Sequence, residues 1–159
     1  MNQLSFINPP YKYIFDASSF LSQKENDRHP KSVYKQLWDN ISNLIYEQKI
    51  VTCTEIRDEI KNDETHDWFR KCGCICLDIT NEIQNNVILI LEKKPKLIEF
   101  LKVKSSADAF LIATAMVYNL TVVTEESKEK YNKIPDVCRE FNINCINILD
   151  LCKVENWVF

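Results

Sequence analysis

Ser105-Ser106-Ala107-Asp108-Ala109-Phe110-Leu111-Ile112-Ala113-Thr114-Ala115-Met116-Val117-Tyr118, with Leu120-Thr121-Val122-Val123-Thr124-Glu125-Glu126 close behind it, is the stretch that decides the fold. From Ala107 to Tyr118 the residues are strong helix formers or bulky apolar groups with no polar stripe, which predicts a helix covered on every side. Leu120 to Val123 is apolar and partly β-branched and closely follows that helix, which predicts a buried parallel strand. The helix carries one charge, Asp108, in its first turn. A buried carboxylate has to be paired, hydrogen-bonded or bound to a cation, so Asp108 marks a candidate site.

Working outward, 159 residues with 45% hydrophobic content suit a single domain spanning residues 1–159. The formal charge of −3 is too small to indicate or exclude a nucleic-acid partner. One glycine, Gly73, cannot build the glycine-rich loops that cradle nucleotide phosphates. The longest apolar region, Ala107 to Val123, is short for a bilayer span and is interrupted by Asp108, Thr114 and Asn119, and the start has no basic segment leading into an apolar run. The expectation is a cytoplasmic protein with no membrane partner. Seven cysteines, an odd number in a chain with a plausible core, favour reduced thiols.

Along the chain, Asn8-Pro9-Pro10 leads into Tyr13-Ile14-Phe15, read as a buried strand, and Asp16-Ala17-Ser18-Ser19 reads as a strand-to-helix turn with a capping residue. Gln23 to Pro30 is expected to be a surface loop. Val33, Leu37, Trp38, Ile41, Leu44 and Ile45 recur at helical spacing. Ile50-Val51 is a β-like pair, and Thr52-x-x-Glu55 matches a capping box for a helix from Thr54 to about Lys61, with Ile56 and Ile60 buried. Trp68 and Phe69 belong to a further helix, and Cys72, Cys74 and Cys76 alternate as in a strand. Thr80 to Glu92 predicts a helix broken at Pro95, and Leu97, Ile98 and Leu101 start another. After a charged surface loop from Glu125 to Lys133, a helix opens at Pro135 and ends near Asn142, a strand covers Ile143 to Ile146, and a last helix covers Ile148 to Cys152.

Strands alternating with helices imply an α/β fold with a parallel sheet covered on both faces, and such folds place ligands at the carboxyl ends of their strands. Asp16 ends the first strand, Glu126 follows Val122-Val123-Thr124, and Asp108 opens the helix leading into that strand. Glu59 shares a helix face with Ile56 and Ile60 and is expected to point inward. Glu55 is either an auxiliary acid or the cap partner of Thr52. Singly, Asp16 and Asp108 each fit a helix-capping role, the latter in a box with Ser105; together with Glu59 the acids point to one metal site.

At these residues the chain resembles the PIN-domain ribonucleases, the superfamily that includes the VapC toxins of bacterial toxin–antitoxin pairs. The matching pieces are Ile14-Phe15-Asp16-Ala17-Ser18, the helix Glu59 after Ile50-Val51, Ser105 to Ala109 with its Ser-x-x-Asp-Ala pattern, and Val122 to Glu126. Lys133-Ile134-Pro135-Asp136-Val137-Cys138 and Cys145-Ile146-Asn147 look like an uncharacterised PIN-like subfamily of bacteria and mobile elements. The resemblance implies a three-layer αβα sandwich with a central parallel sheet of about five strands and an acidic pocket for Mg²⁺ or Mn²⁺ used in RNA cleavage. By position the pocket is Asp16, Glu59, Asp108 and Glu126, with Ser18 and Thr124 as hydroxyl helpers. A cognate antitoxin and a homodimer are also implied. Ser18 stands where such families often have Asn, and Glu126 where they usually have Asp.

Phosphodiester hydrolysis needs a nucleophilic water and stabilisation of charge on phosphate and leaving oxygen, which oxygen-bound divalent ions supply. Mg²⁺ keeps several waters, so Asp16 and Asp108 are assigned direct contacts and Glu59 and Glu126 mainly water-mediated ones. Without the four acids the remaining formal charge is +1 in place of −3. Lys102, Lys104, Lys128, Lys130 and Lys133 are candidates for an RNA-binding rim, although each equally suits an ordinary solvated surface. Cys72-x-Cys74-x-Cys76 has the wrong spacing for structural zinc, and His29 and His66 lack any metal-type spacing.

Overall fold

The computed structural model describes residues 9–61, 63–94, 107–130 and 133–159. The elements run β1 (Tyr13–Phe15), α1 (Ala17–Leu21), α2 (Lys35–Tyr46), β2 (Ile50–Cys53), α3 (Thr54–Glu59), α4 (Asp63–Cys72), β3 (Ile75–Leu77), α5 (Asn81–Lys93), α6 (Ala107–Tyr118), β4 (Thr121–Val123), α7 (Ile134–Glu140), β5 (Cys145–Ile146) and α8 (Ile148–Val154). The five strands form one all-parallel sheet in the order β3-β2-β1-β4-β5, flanked by helices as a three-layer sandwich. β1 is central: Ile14 is in register with Val51 of β2 on one side and Val122 of β4 on the other.

The sheet interior is apolar because both of its faces are covered. Ile14, Phe15, Ile50, Val51, Val122 and Val123 are fully buried. Each such side chain contributes about 1.5–3 kcal/mol relative to an exposed one. Helices α1, α2 and α4 pack on one another through aromatic rings: Phe20 lies 5.2 Å from Phe15 and 5.1 Å from Phe69, and Trp38 lies 5.4 Å from Trp68. Helix α5 packs along α6. Ala109, Leu111, Ile112 and Ala113 of α6 are fully buried, while Phe110, Met116, Val117 and Tyr118 keep partial exposure.

Several boundaries differ from the periodicity. Val33 is 71% exposed and precedes α2, which begins at Lys35. The capping box does not form: β2 continues through Thr52, whose hydroxyl donates to the Phe15 carbonyl at 2.7 Å, and Cys53 is the residue that opens α3. Glu55 instead accepts a hydrogen bond from the Thr54 hydroxyl. Cys72 ends α4 and only Cys76 lies in β3, because the helix runs on to the turn at Gly73, whose φ is +66°. The helix expected at Leu97 to Leu101, the Ser105 capping box, and Lys102 and Lys104 lie outside the described residues. All seven cysteines are free thiols. Among the described residues no helix is long and apolar enough to cross a membrane.

Candidate active site

The strand order places a switch point at β1 and β4. The chain leaves β1 towards β2 on one side, and β4 lies on the other, so the carboxyl ends of these two strands are the place where such sheets bind ligands. Asp16 follows β1 directly, and Thr124, Glu125 and Glu126 follow β4.

Asp16 is the N-cap of α1, accepting from the Ser19 N–H at 2.9 Å, and is only 2% exposed. Its carboxylate also accepts from the Ser18 hydroxyl at 2.7 and 2.9 Å and from the Thr124 hydroxyl at 2.6 Å. Those same hydroxyls accept from the β4 exit: Ser18 Oγ from the Glu125 N–H and Thr124 Oγ1 from the Glu126 N–H, both at 3.1 Å. Ser19 Oγ donates to the Val123 carbonyl at 2.8 Å. Ser18, Ser19 and Thr124 therefore stitch the start of α1 to the end of β4, and Ser18 and Thr124 orient the acid.

Burial pushes the Asp16 carboxyl up to about 6, outweighing the hydrogen bonds from Thr124, Ser18 and Ser19, which favour its charged form. Asp108 is pushed further, to about 7. Burial is the main cause, followed by the negative charges of Glu126, Asp16 and Glu59, with Lys133 acting in the opposite direction. So α6, β1, α3 and the β4 exit each bring one carboxylate within electrostatic reach of one point. Glu59 is partly buried, as is Glu126, whose Oε1 accepts from the Ile134 N–H at 2.9 Å, at the start of α7.

Whether this set suits a divalent cation can be judged from its donors. All are oxygens, the ligand type of Mg²⁺ and Mn²⁺. A carboxylate offers about four lone-pair sites, and the three donor groups on Asp16 leave one for a single direct contact. The chemistry fits. The spacing is looser than a finished centre: among the described residues no group of three or more His, Cys, Asp or Glu side chains stands together closely enough to hold a metal ion.

The other expected groups are dispersed. Glu55 is partly exposed in the first turn of α3. Lys128 is 3.5 Å from Asp150, Lys130 is exposed, and Lys133 acts on Asp108 from the residue preceding α7. Two roles had no signal in the residue pattern. Ser19 bridges to β4. Glu125, expected in a surface loop, keeps only 8% side-chain exposure; it accepts from the Ile148 N–H at 3.0 Å and stands 3.7 Å from His29 and 3.6 Å from Arg28.

A family model described as a domain of unknown function, DUF4411, matches residues 13–159. The match covers β1 through α8 and all four acids. No curated protein matches the chain.

Proposed function

The chain belongs to the DUF4411 family, and from that premise we propose that it is a PIN-like, Mg²⁺- or Mn²⁺-dependent endoribonuclease that hydrolyses RNA phosphodiester bonds, acting as the toxin of a toxin–antitoxin pair. The observation that carries the reading is the convergence on Asp108 of the charges of Asp16, Glu59 and Glu126, from four separate elements, at the carboxyl end of a parallel sheet.

In this reading Asp16 and Asp108 hold the cation directly, and Glu59 and Glu126 hold its waters. The bound ion supplies charge stabilisation on the phosphate and a more acidic water. Ser18 and Thr124 fix the Asp16 carboxylate in one orientation, so that little has to reorganise when substrate arrives. Lys133, beside the acids, limits their repulsion of an incoming phosphate. A cognate antitoxin and a homodimer belong to the same proposal.

The rival is a non-catalytic PIN-like module that binds RNA or a protein. It is favoured by the bond from the Ile134 N–H to Glu126, which gives that acid a structural role. Cleavage of labelled single-stranded and structured RNA by wild type, Asp16→Asn and Asp108→Asn, with Mn²⁺, Mg²⁺ or EDTA, separates the two. Metal-dependent cleavage lost in both folded variants supports the nuclease; no metal-dependent cleavage, or equal cleavage by the variants, leaves the binding module.

A further inference from the structure

Helix α7 and strand β5 carry a pair of thiols that the acidic site does not use. Cys138 of α7 and Cys145 of β5 lie on either side of a tight reversal, in which Asn142 takes a positive φ and the Ile143 N–H donates to the Cys138 carbonyl at 2.8 Å. The reversal turns the two side chains towards each other, and their thiols are hydrogen-bonded. The cysteines around β3 have other partners: Cys72 Sγ lies 3.4 Å from Ser42 Oγ, and Cys74 and Cys76 donate to backbone carbonyls.

The two thiols differ in the way an exchange site requires. Cys138 is fully buried, while Cys145 is partly exposed on β5, an edge strand of the sheet, where a small reagent can reach it. The hydrogen bond with Cys145 holds the Cys138 thiol well above the ordinary thiol range, and burial and the charges of Cys145, Asp16 and Asp108 act in the same direction. Cys138 is thus a poor nucleophile for as long as Cys145 is a free thiol. Once Cys145 is capped in a mixed disulfide, that hydrogen bond and that charge are gone, and Cys138 faces a sulfur that it can attack. A disulfide needs its sulfurs about 2.05 Å apart and its Cβ atoms roughly 3.5–4.5 Å apart, which side chains already in hydrogen-bond contact reach by small rotations.

Cys138 stands one helical turn after Ile134, so both lie on the buried face of α7. The Ile134 N–H is the donor that holds Glu126. We propose that Cys138 and Cys145 form a thiol–disulfide exchange site, at which a small disulfide such as oxidised glutathione is reduced and α7 becomes fastened to β5. The Cys145 thiolate attacks one sulfur of the reagent and expels the first thiolate, which takes up the proton Cys145 has lost. Cys138 then attacks Cys145 Sγ, and its S–H proton passes to the second departing thiolate. Two protein thiols and one small disulfide become one protein disulfide and two small thiols. The bridge restrains α7 and, through Ile134, the orientation of Glu126. Nothing in this chemistry depends on RNA cleavage.

The test is to incubate the reduced, folded protein with oxidised glutathione, block the remaining thiols with N-ethylmaleimide, digest with trypsin and read the peptides by mass. Trypsin cuts after Arg139, which places Cys138 in residues 134–139 and Cys145, with Cys152, in residues 140–153. Wild type is expected to yield the two peptides joined, and separate again after dithiothreitol. Cys145→Ser should yield none of the joined species, and Cys138→Ala should leave glutathione on Cys145. Amide exchange at Ile134 should be about ten-fold slower in the oxidised wild type than in the reduced. A wild type that keeps glutathione on Cys145 with Cys138 reduced, or that reacts at neither cysteine, would overturn the proposal without recourse to any variant. Joined peptides that persist in Cys145→Ser would place the bridge at Cys152 and overturn it too. A bridge with unchanged exchange at Ile134 would overturn the restraint on Glu126.

Discussion

At the scale of single residues, Asp108 and Asp16 are held in a fold that penalises their charge. Both have pKa values raised above the ordinary 3.8, to about 7 and about 6. The native state therefore holds on to protons that the unfolded chain has released. Their contribution to stability is intact below about pH 4 and is lost as pH rises through 6 and 7, at ~1.4 kcal/mol for each pH unit separating the folded from the unfolded pKa. In EDTA, Asp108→Asn should be more stable than wild type at pH 8 and lose most of that advantage at pH 5. Melting curves at the two pH values check this, and an advantage independent of pH would contradict it. Added Mn²⁺ should raise the wild-type melting temperature at pH 8 more than at pH 5, because the ion and the protons compete for the same oxygens.

Thr124 is 2% exposed, with its hydroxyl donating to Asp16 and accepting from the Glu126 N–H. Thr124→Val keeps the shape and removes both bonds, at an expected cost of about 1–3 kcal/mol in denaturant unfolding. Losing a donor to the charged carboxylate raises the Asp16 pKa further, so the pH at which Mn²⁺ begins to stabilise the protein should move upward. Thr124→Ser, which keeps the hydroxyl, should restore both properties. Asp16 and Asp108 were legible from sequence because a charge next to an apolar run is conspicuous. Ser19 and Glu125 were not, since their partners Val123 and Ile148 come from distant parts of the chain.

At the scale of elements, a chain with one glycine has to end its helices by other means. The turns after α2, α4, α6, α7 and α8 place Gln48, Gly73, Asn119, Asn142 and Asn156 at positive φ. Asn tolerates this left-handed region and the lone glycine favours it, whereas Gln48, at φ 63°, bears the full steric cost. Gln48→Gly should stabilise the protein by about 0.5–1 kcal/mol in urea unfolding; destabilisation would show that the Gln48 side chain supplies more than the backbone conformation costs. Element types were readable where a continuous apolar run of distinctive length dominated, as in α6 and β4. Two boundaries misled for a physical reason. Thr52 carries the right spacing for a cap, but extension of β2 gives its hydroxyl the Phe15 carbonyl. The alternating cysteines imitate a strand, but the last turn of α4 takes Cys72.

At the scale of the whole molecule, the sheet order sets what the sequence left open. Pattern alone indicated strands alternating with helices, and nothing in it said that β4 would lie against β1. That neighbour relation is what brings Asp16 and Glu126 to the same end of the sheet. It also fixes a timetable. β1 is an early segment of the chain and the middle of the sheet, yet its second edge can close only when Thr121 to Val123 arrive to pair with Tyr13 to Phe15. Pairings this distant in sequence slow folding. In refolding experiments helical signal should return well before the Mn²⁺-dependent rise in stability, and simultaneous recovery would argue against late closure. During synthesis the consequence is sharper. A ribosome has to translate past Glu126 before the four acids can come together, so if this chain cuts RNA, a nascent copy that stops short of β4 is harmless to the message it is being read from.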